Sequence, residues 1–407
     1  MKNRILLLFG LGISTLGDFI YLIAINVLVL QMTGSAAAVA GLWMIGPIAS
    51  LLTKFWIGSL VDRWNIRRIM MGTDLIRALF VAAIPFIDSI WLIYGCLFIL
   101  SVAKSFFEPA SLTYITSVVP QQDRKQFNSF RSLITSGAFL VGPAISGILL
   151  LFFSVQVSIW LNAISFLLSL WMIALLPDVQ KKEADAVPAR FSRKILRDDW
   201  KAVMYFSRHQ SYIVLVYFLA QLFMIIALGM DAQEVVFIRQ VLDLSEADYG
   251  LLVSLTGVGS VLGAFTVSAV AKKLSIRALI GTGFLMVSIG YLIYAFSFSF
   301  FSVATGFMIL GFFNAFSNTG IMTFFQNNVP VETMGRISSV YGLFQSVLQI
   351  VFILLVGFTG DIIPVRYSII GACVLMGVVS MYLMMLILKK DKQHYFVEES
   401  YSQASNQ

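Results

Sequence analysis

Charge is scarce in this chain of 407 residues: 12% are charged, about half the ~25% typical of soluble domains. So few polar heads cannot clothe a water-soluble surface. Cysteine is scarcer still, with Cys96 and Cys373 alone, both inside apolar runs. That argues against a disulfide framework and a thiolate metal cluster. The two histidines, His209 and His394, flank apolar segments, so neither a histidine metal site nor a catalytic triad is on offer. A Gly-x-x-x-x-Gly-Lys-Ser/Thr loop is missing, which excludes ATP as the energy source through this polypeptide. Gly-x-Ser-x-Gly, His-Glu-x-x-His and Cys-x-x-Cys motifs are missing too, and the hydrophilic segments are too short for a catalytic domain. The expectation is a protein that is no enzyme, with no cofactor and no metal.

What fills the sequence is apolar: 59% hydrophobic residues and a mean hydropathy of +0.88. At roughly 20 residues per span, the length accommodates about twelve membrane helices. Apolar runs fall at 5–31, 37–60, 69–87, 91–117, 128–153 and 157–176, then at 211–237, 248–271, 278–297, 301–328, 338–360 and 365–388. The first run carries Asp18 and is too long for a signal peptide, so it is read as a retained span. Between the sets lies a basic linker whose Trp200, Val203, Met204 and Phe206 suggest a short interfacial helix.

The net charge of +7 is concentrated in alternate loops: 61–68, 121–127, the linker, 272–277, Arg336 and Lys389–Lys392. That pattern predicts membrane topology and not nucleic-acid binding, with both termini cytoplasmic in a multi-pass protein of the cell (cytoplasmic) membrane. Asp231 and Glu234, near the end of the seventh span, are expected in a solvated position at the outer mouth.

The halves repeat. A shift of 210 residues aligns Ile66-Arg67 with Ile276-Arg277, Phe106 with Phe316, Val119-Pro120 with Val329-Pro330, and Gly147 with Gly357. The expected organisation is a six-helix half over 1–176, a linker over 177–208, a second six-helix half over 209–390 and a cytoplasmic tail over 391–407. Two parallel six-span halves are an established transporter architecture.

The loop after the second span reads Gly58-Ser-Leu-Val-Asp62-Arg63-Trp-Asn-Ile-Arg67-Arg68. It resembles the loop 2–3 signature of the major facilitator superfamily (MFS), departing from it where Asn65 replaces a usual glycine. The resemblance covers the whole chain. It implies an all-α MFS fold of twelve transmembrane helices in two pseudo-symmetric six-helix halves, with Asp62 at a cytoplasmic gate supported by Gly58, Arg63, Arg67 and Arg68. Such a carboxylate can face the N-terminal dipole of a helix near Gly335–Arg336. Span five carries Gly137-Ala-Phe-Leu-Val-Gly142-Pro143-Ala-Ile-Ser-Gly147, which resembles the Gly-Pro signature of the exporter branches. Its glycines permit close helix approach and Pro143 kinks the span. Among exporters, Gly17-Asp18, Thr33-Gly34-Ser35 and Glu108-Pro109-Ala110 look most like the branch of macrolide efflux proteins, siderophore exporters and lysophospholipid transporters.

Ions at bilayer depth cost several kcal/mol, so each calls for a reason. Asp18 sits mid-span in the first helix and suits reversible protonation. Lys104 and Glu108 stack one turn apart on span four, as a mutually neutralising pair or as a recognition and coupling site. Arg131 can reach the same cavity. At the 210-residue shift Lys104 and Glu108 become Asn314 and Asn318, which keep a polar face without charge, for ligand contact or for interhelical hydrogen bonds. The expectation is a secondary transporter that exports amphipathic organic compounds such as drugs or macrolides by proton antiport and alternating access. Its partners would be a small amphipathic substrate, protons and membrane lipids, with the chain acting as a monomer. The alternatives are a lysophospholipid or siderophore-type transporter without proton antiport, a non-transporting receptor on the same fold, and a nutrient importer.

Overall fold

In lipid every backbone N–H and C=O must be satisfied within its own segment, so long apolar runs become helices. The computed structural model describes residues 2–120, 123–178, 193–270 and 274–396; within these, the side chains of 2, 54–63, 124–126, 128–129, 193–199, 202, 270, 331–336 and 338–339 fall outside the description. Among the described residues, twelve helices are long and apolar enough to cross a membrane, and no strand occurs. Helices α1 (Lys2–Thr33), α2 (Ala36–Arg63), α3 (Ile66–Ala83), α4 (Ile90–Val118), α5 (Arg124–Phe152) and α6 (Val155–Ala174) precede a linker helix, α7 (Arg193–His209). Then follow α8 (Ser211–Asp231), the single turn α9 (Glu234–Val236), α10 (Glu246–Val270), α11 (Ile276–Ala295), α12 (Phe300–Asn328), α13 (Val331–Ile362) and α14 (Val365–Ile387).

Local chemistry places the breaks. Gly34 takes φ +61° between α1 and α2, a conformation that costs glycine little. Asn65 starts α3 by accepting from the Arg68 amide at 3.0 Å, and Ser275 starts α11 by accepting from the Ala278 amide at 3.2 Å. These two caps are one repeat apart. The repeat extends to the partners of the following arginines. Arg67 donates to the carbonyls of Ile173 and Ala174 at the end of α6, and Arg277 donates to the Lys389 carbonyl after α14. A cation there meets the negative end of a helix dipole. Val119 and Val329, again one repeat apart, close α4 and α12 in extended conformations.

The chain divides into two compact units. The first comprises 1–190, 228–257 and 346–368. Within it α1 lies against α5 and α6, α3 against α4 and α6, and α2 against α4. A core of Leu7, Leu11, Met70, Phe107, Tyr114 and Ile173 fills the end nearest the N-terminus. At the opposite end the Asp361 carboxylate accepts from Ser35 Oγ and the Ala36 amide, both at 2.7 Å. It thereby caps the first turn of α2, a contribution of about 0.5–2 kcal/mol. Gln31 and Gln240 donate there to Glu246 and to the Gly34 carbonyl at 2.6 and 3.0 Å.

The second unit comprises 191–227, 258–345 and 369–407. Its α11 and α12 approach closely through Gly283, Gly290, Gly306 and Gly320. The linker helix α7 buries Val203 and exposes Trp200, Met204 and Tyr205. It is tied to the unit by Ser207–Tyr341 at 2.7 Å and by stacking of Trp200 on Phe344.

Candidate functional site

Helical spacing on α1 brings Leu11, Ser14, Thr15, Asp18 and Leu22 to one face. On α4 it does the same for Lys104, Phe107, Glu108 and Ser111. Together with Arg131, Ile134 and Thr135 of α5 and Arg77 of α3, these residues enclose a cavity of about 370 Å³ inside the first unit. A neighbouring cavity of about 390 Å³ shares Asp18, Leu22, Arg77 and Lys104 and adds Tyr21, Asn26, Trp43 and Asn162. The two volumes fall within the range of small-molecule sites. Trp43 donates to Asn26 at 3.0 Å, which orients the amide on the wall. Pro109 lies inside α4 directly after Glu108. It removes one helical hydrogen bond and loosens the turn that carries the carboxylate.

Asp18, Lys104, Glu108 and Arg131 therefore line one cavity. The neutralising pair that i, i+4 spacing allows for Lys104 and Glu108 does not form. None of the four carries an ion pair within 4.0 Å or a side-chain hydrogen bond among the described residues. Lys104 and Glu108 are exposed and Asp18 and Arg131 half-buried, so all four heads are open to the cavity and none is held by a direct counter-ion.

Asp74 and Arg77 were not singled out from the sequence. Asp74 is 0% exposed and Arg77 4%, and an Arg77 N–H donates to Asp74 Oδ1. The guanidinium packs against Phe107 and Phe166, 4.3 Å from each ring centroid. Cation–π contact of this kind adds about 1–2 kcal/mol where water is excluded. Their i, i+3 spacing in the middle of the third span was the available signal.

The other candidates are dispersed. Asn314 and Asn318 sit on α12 in the second unit and bond to each other at 3.0 Å; neither lines these cavities. Gly58, Asp62 and Arg63 form the end of α2, and their side chains lie outside the described residues. Arg67 holds the end of α6 and Arg68 is exposed. On α5, a Cβ at Gly142 would stand 2.6 Å from Phe19 Cβ, and one at Gly147 would stand 2.8 Å from the Ala247 carbonyl of α10. Gly137 faces open space, so the close approach belongs to Gly142 and Gly147. Asp231 and Glu234 are half-buried, not solvated as expected. Beside them, Gln233 is fully buried and donates to the Ala36 carbonyl at 3.2 Å.

Membrane-spanning helices with an ion-lined cavity between them define a membrane transporter. The chain belongs to the Major Facilitator Superfamily, whose family model matches residues 7–347 and 232–400. It is 26% identical over 308 residues to the multidrug efflux pump Tap of Mycolicibacterium fortuitum, covering 72% of this chain and 73% of Tap. It is 29% identical over 177 residues to YfiS of Bacillus subtilis, an MFS-type transporter of uncharacterised activity, covering 43% of this chain and 42% of YfiS. A candidate bacilysin exporter of the same species, BacE, is 29% identical over 42% of this chain and 43% of its own. These last two matches span less than half the length of either relative. Among solved structures, the nucleoside transporter NupG superposes with a TM-score of 0.78 at 11% identity, over 96% of this chain and 100% of NupG. A bacterial homologue of the lysosomal transporter Spinster gives 0.74 at 13% identity, over 98% and 99%. At such identity these likenesses speak for the fold alone.

Proposed function

We propose that this protein exports amphipathic organic compounds across the cytoplasmic membrane by proton antiport, with both termini on the cytoplasmic side. The observation that carries this reading is the pair of carboxylates, Asp18 and Glu108, on the wall of an intramembrane cavity without a contacting counter-ion. An ionised carboxylate at that depth costs several kcal/mol. A proton relieves the cost, and so does a cationic group on a substrate. The two compete for the same oxygens, so binding of one expels the other. That competition couples the fluxes, because the carboxylates hold a proton or a cationic group but not both. The efflux and exporter names of Tap and BacE support the direction.

In this reading Asp62, with Arg63, Arg67 and Arg68, closes the cytoplasmic gate, and Gly142 and Gly147 let α5 slide against its neighbours. The test uses energised inside-out vesicles holding the purified chain and a lumenal pH-sensitive dye. Adding a transported amphiphile is expected to release lumenal protons, with Glu108→Gln or Asp18→Asn abolishing the release. Solute movement with no proton release in the unaltered protein sinks the antiport reading. It would bring forward facilitated movement of a lysophospholipid or siderophore-type amphiphile.

A further inference from the structure

Proton antiport accounts for the two acids of the cavity and leaves its two bases unexplained. Lys104 and Arg131 line the same wall as Asp18 and Glu108 and make no ion pair with them or with any other described residue. Arg77 is a different case, because Asp74 and two aromatic rings already hold its charge. From the uncompensated bases we infer that the cavity selects zwitterions: its substrates carry an ammonium group and a carboxylate, or an equivalent anion, on one amphipathic frame. This inference rests on the reading that the cavity is the substrate site.

Charge balance favours it. The four unpaired side chains sum to zero net charge. A purely cationic guest leaves the cavity with a positive excess, and a purely anionic guest leaves it with a negative one. A zwitterion leaves the sum at zero and offers each wall ion a partner. Spacing favours it as well. Lys104 and Glu108 are four residues apart on α4, about 6 Å of helical rise. An extended dipeptide reaches about 7 Å, so its ends can address both positions while its side chains contact Phe19, Leu22 and Phe107, which line the same cavity. The competition described above also gains a second half. With a proton on Glu108 the wall carries excess positive charge and draws in the carboxylate of the substrate. The ammonium end then displaces the proton.

The test is calorimetric titration of the purified full-length chain in lipid nanodiscs with phenylalanyl-phenylalanine and two neutralised forms of it. Amidation removes the carboxylate, and N-acetylation removes the ammonium, with little change of shape. The dipeptide is expected to bind at least tenfold more tightly than either derivative. In Glu108→Gln the advantage over the N-acetyl form should vanish while the advantage over the amide persists. Lys104→Gln should do the reverse. Glu108→Asp and Lys104→Arg, which keep the charges, should retain both preferences and show that selectivity is not lost through misfolding. Amide binding as tight as that of the dipeptide overturns the proposal, and so does equal binding of all three compounds. Failure of the dipeptide to bind while a lipophilic cation binds overturns it equally. The antiport reading fails separately. Selective dipeptide binding without proton release in vesicles defeats antiport alone, whereas proton release driven by a lipophilic cation with no dipeptide binding defeats this inference alone.

Discussion

Arg77 shows how one charged side chain is made tolerable inside a membrane protein. Its partner Asp74 is fully buried, and the Phe107 and Phe166 rings both pack against the guanidinium. Removing the cation strands a carboxylate that has no route to water. Arg77→Leu is therefore expected to destabilise the protein by about 3–5 kcal/mol, the usual cost of breaking a buried pair from one side. The double change Asp74→Leu with Arg77→Leu removes both desolvation penalties and should recover most of the loss. Thermal unfolding in detergent reads both, and a double variant no more stable than Arg77→Leu alone would refute a pair that acts as a unit. Asp18, Lys104, Glu108 and Arg131 stood out in the sequence because isolated ions in apolar runs are conspicuous. Asp74 and Arg77 did not, although the same rule applies to them. The separation of Lys104 from Glu108 was not legible at all, since i, i+4 spacing permits a pair and equally permits both heads to enter a cavity.

At the scale of elements, the contact between α5 and α10 is governed by glycine. A Cβ at Gly250 would lie 2.5 Å from the Pro143 carbonyl and 2.8 Å from Gly147 Cα, both backbone atoms that cannot swing aside. Gly250→Val is thus expected to push the helices apart and to slow transport in vesicles more than tenfold. Gly137→Ala, where nothing lies within 4 Å, should leave the rate unchanged. Equal effects of the two changes would mean that the glycines matter for helix flexibility and not for approach. The boundaries of the spans were readable to within a few residues: the run at 91–117 became Ile90–Val118, and that at 301–328 became Phe300–Asn328. The seventh span departs from its pattern. It breaks after Asp231 and resumes through a π-helical turn at Phe237–Val241. Gly229 stands two residues before the break, a weak mark in the sequence because glycine is frequent in membrane helices. It is held by backbone bonds such as Gln233 N to the Met230 carbonyl at 2.9 Å, and by the Gln233 side chain on Ala36. A contact between elements far apart in the chain leaves no local signal.

At the scale of the molecule, the internal repeat was legible as far as the caps at Asn65 and Ser275, one shift of 210 residues apart. The division into compact units was not, because its limits at 227/228, 257/258 and 345/346 fall inside helices. Orientation is the property on which the direction of transport depends, and it follows from a different physical source. Basic residues resist translocation across an energised membrane, so the loops that hold Arg63, Arg67, Arg68, Lys272 and Lys273 should remain cytoplasmic, together with both termini. The turn containing Asp88 should then face outward. Cys96 and Cys373 are buried, so replacing both with alanine leaves a background unreactive to maleimides. In that background, Asp88→Cys, at an exposed position, is expected to react with a membrane-impermeant maleimide in intact cells. Trp64→Cys, exposed in the turn between α2 and α3, should react only after permeabilisation. The reverse pattern would place the termini outside. Inside-out vesicles would then present the opposite face of the cavity to an added substrate, and a proton signal attributed to export would report uptake. The labelling experiment therefore precedes any flux measurement, since the sign of every flux is read through it.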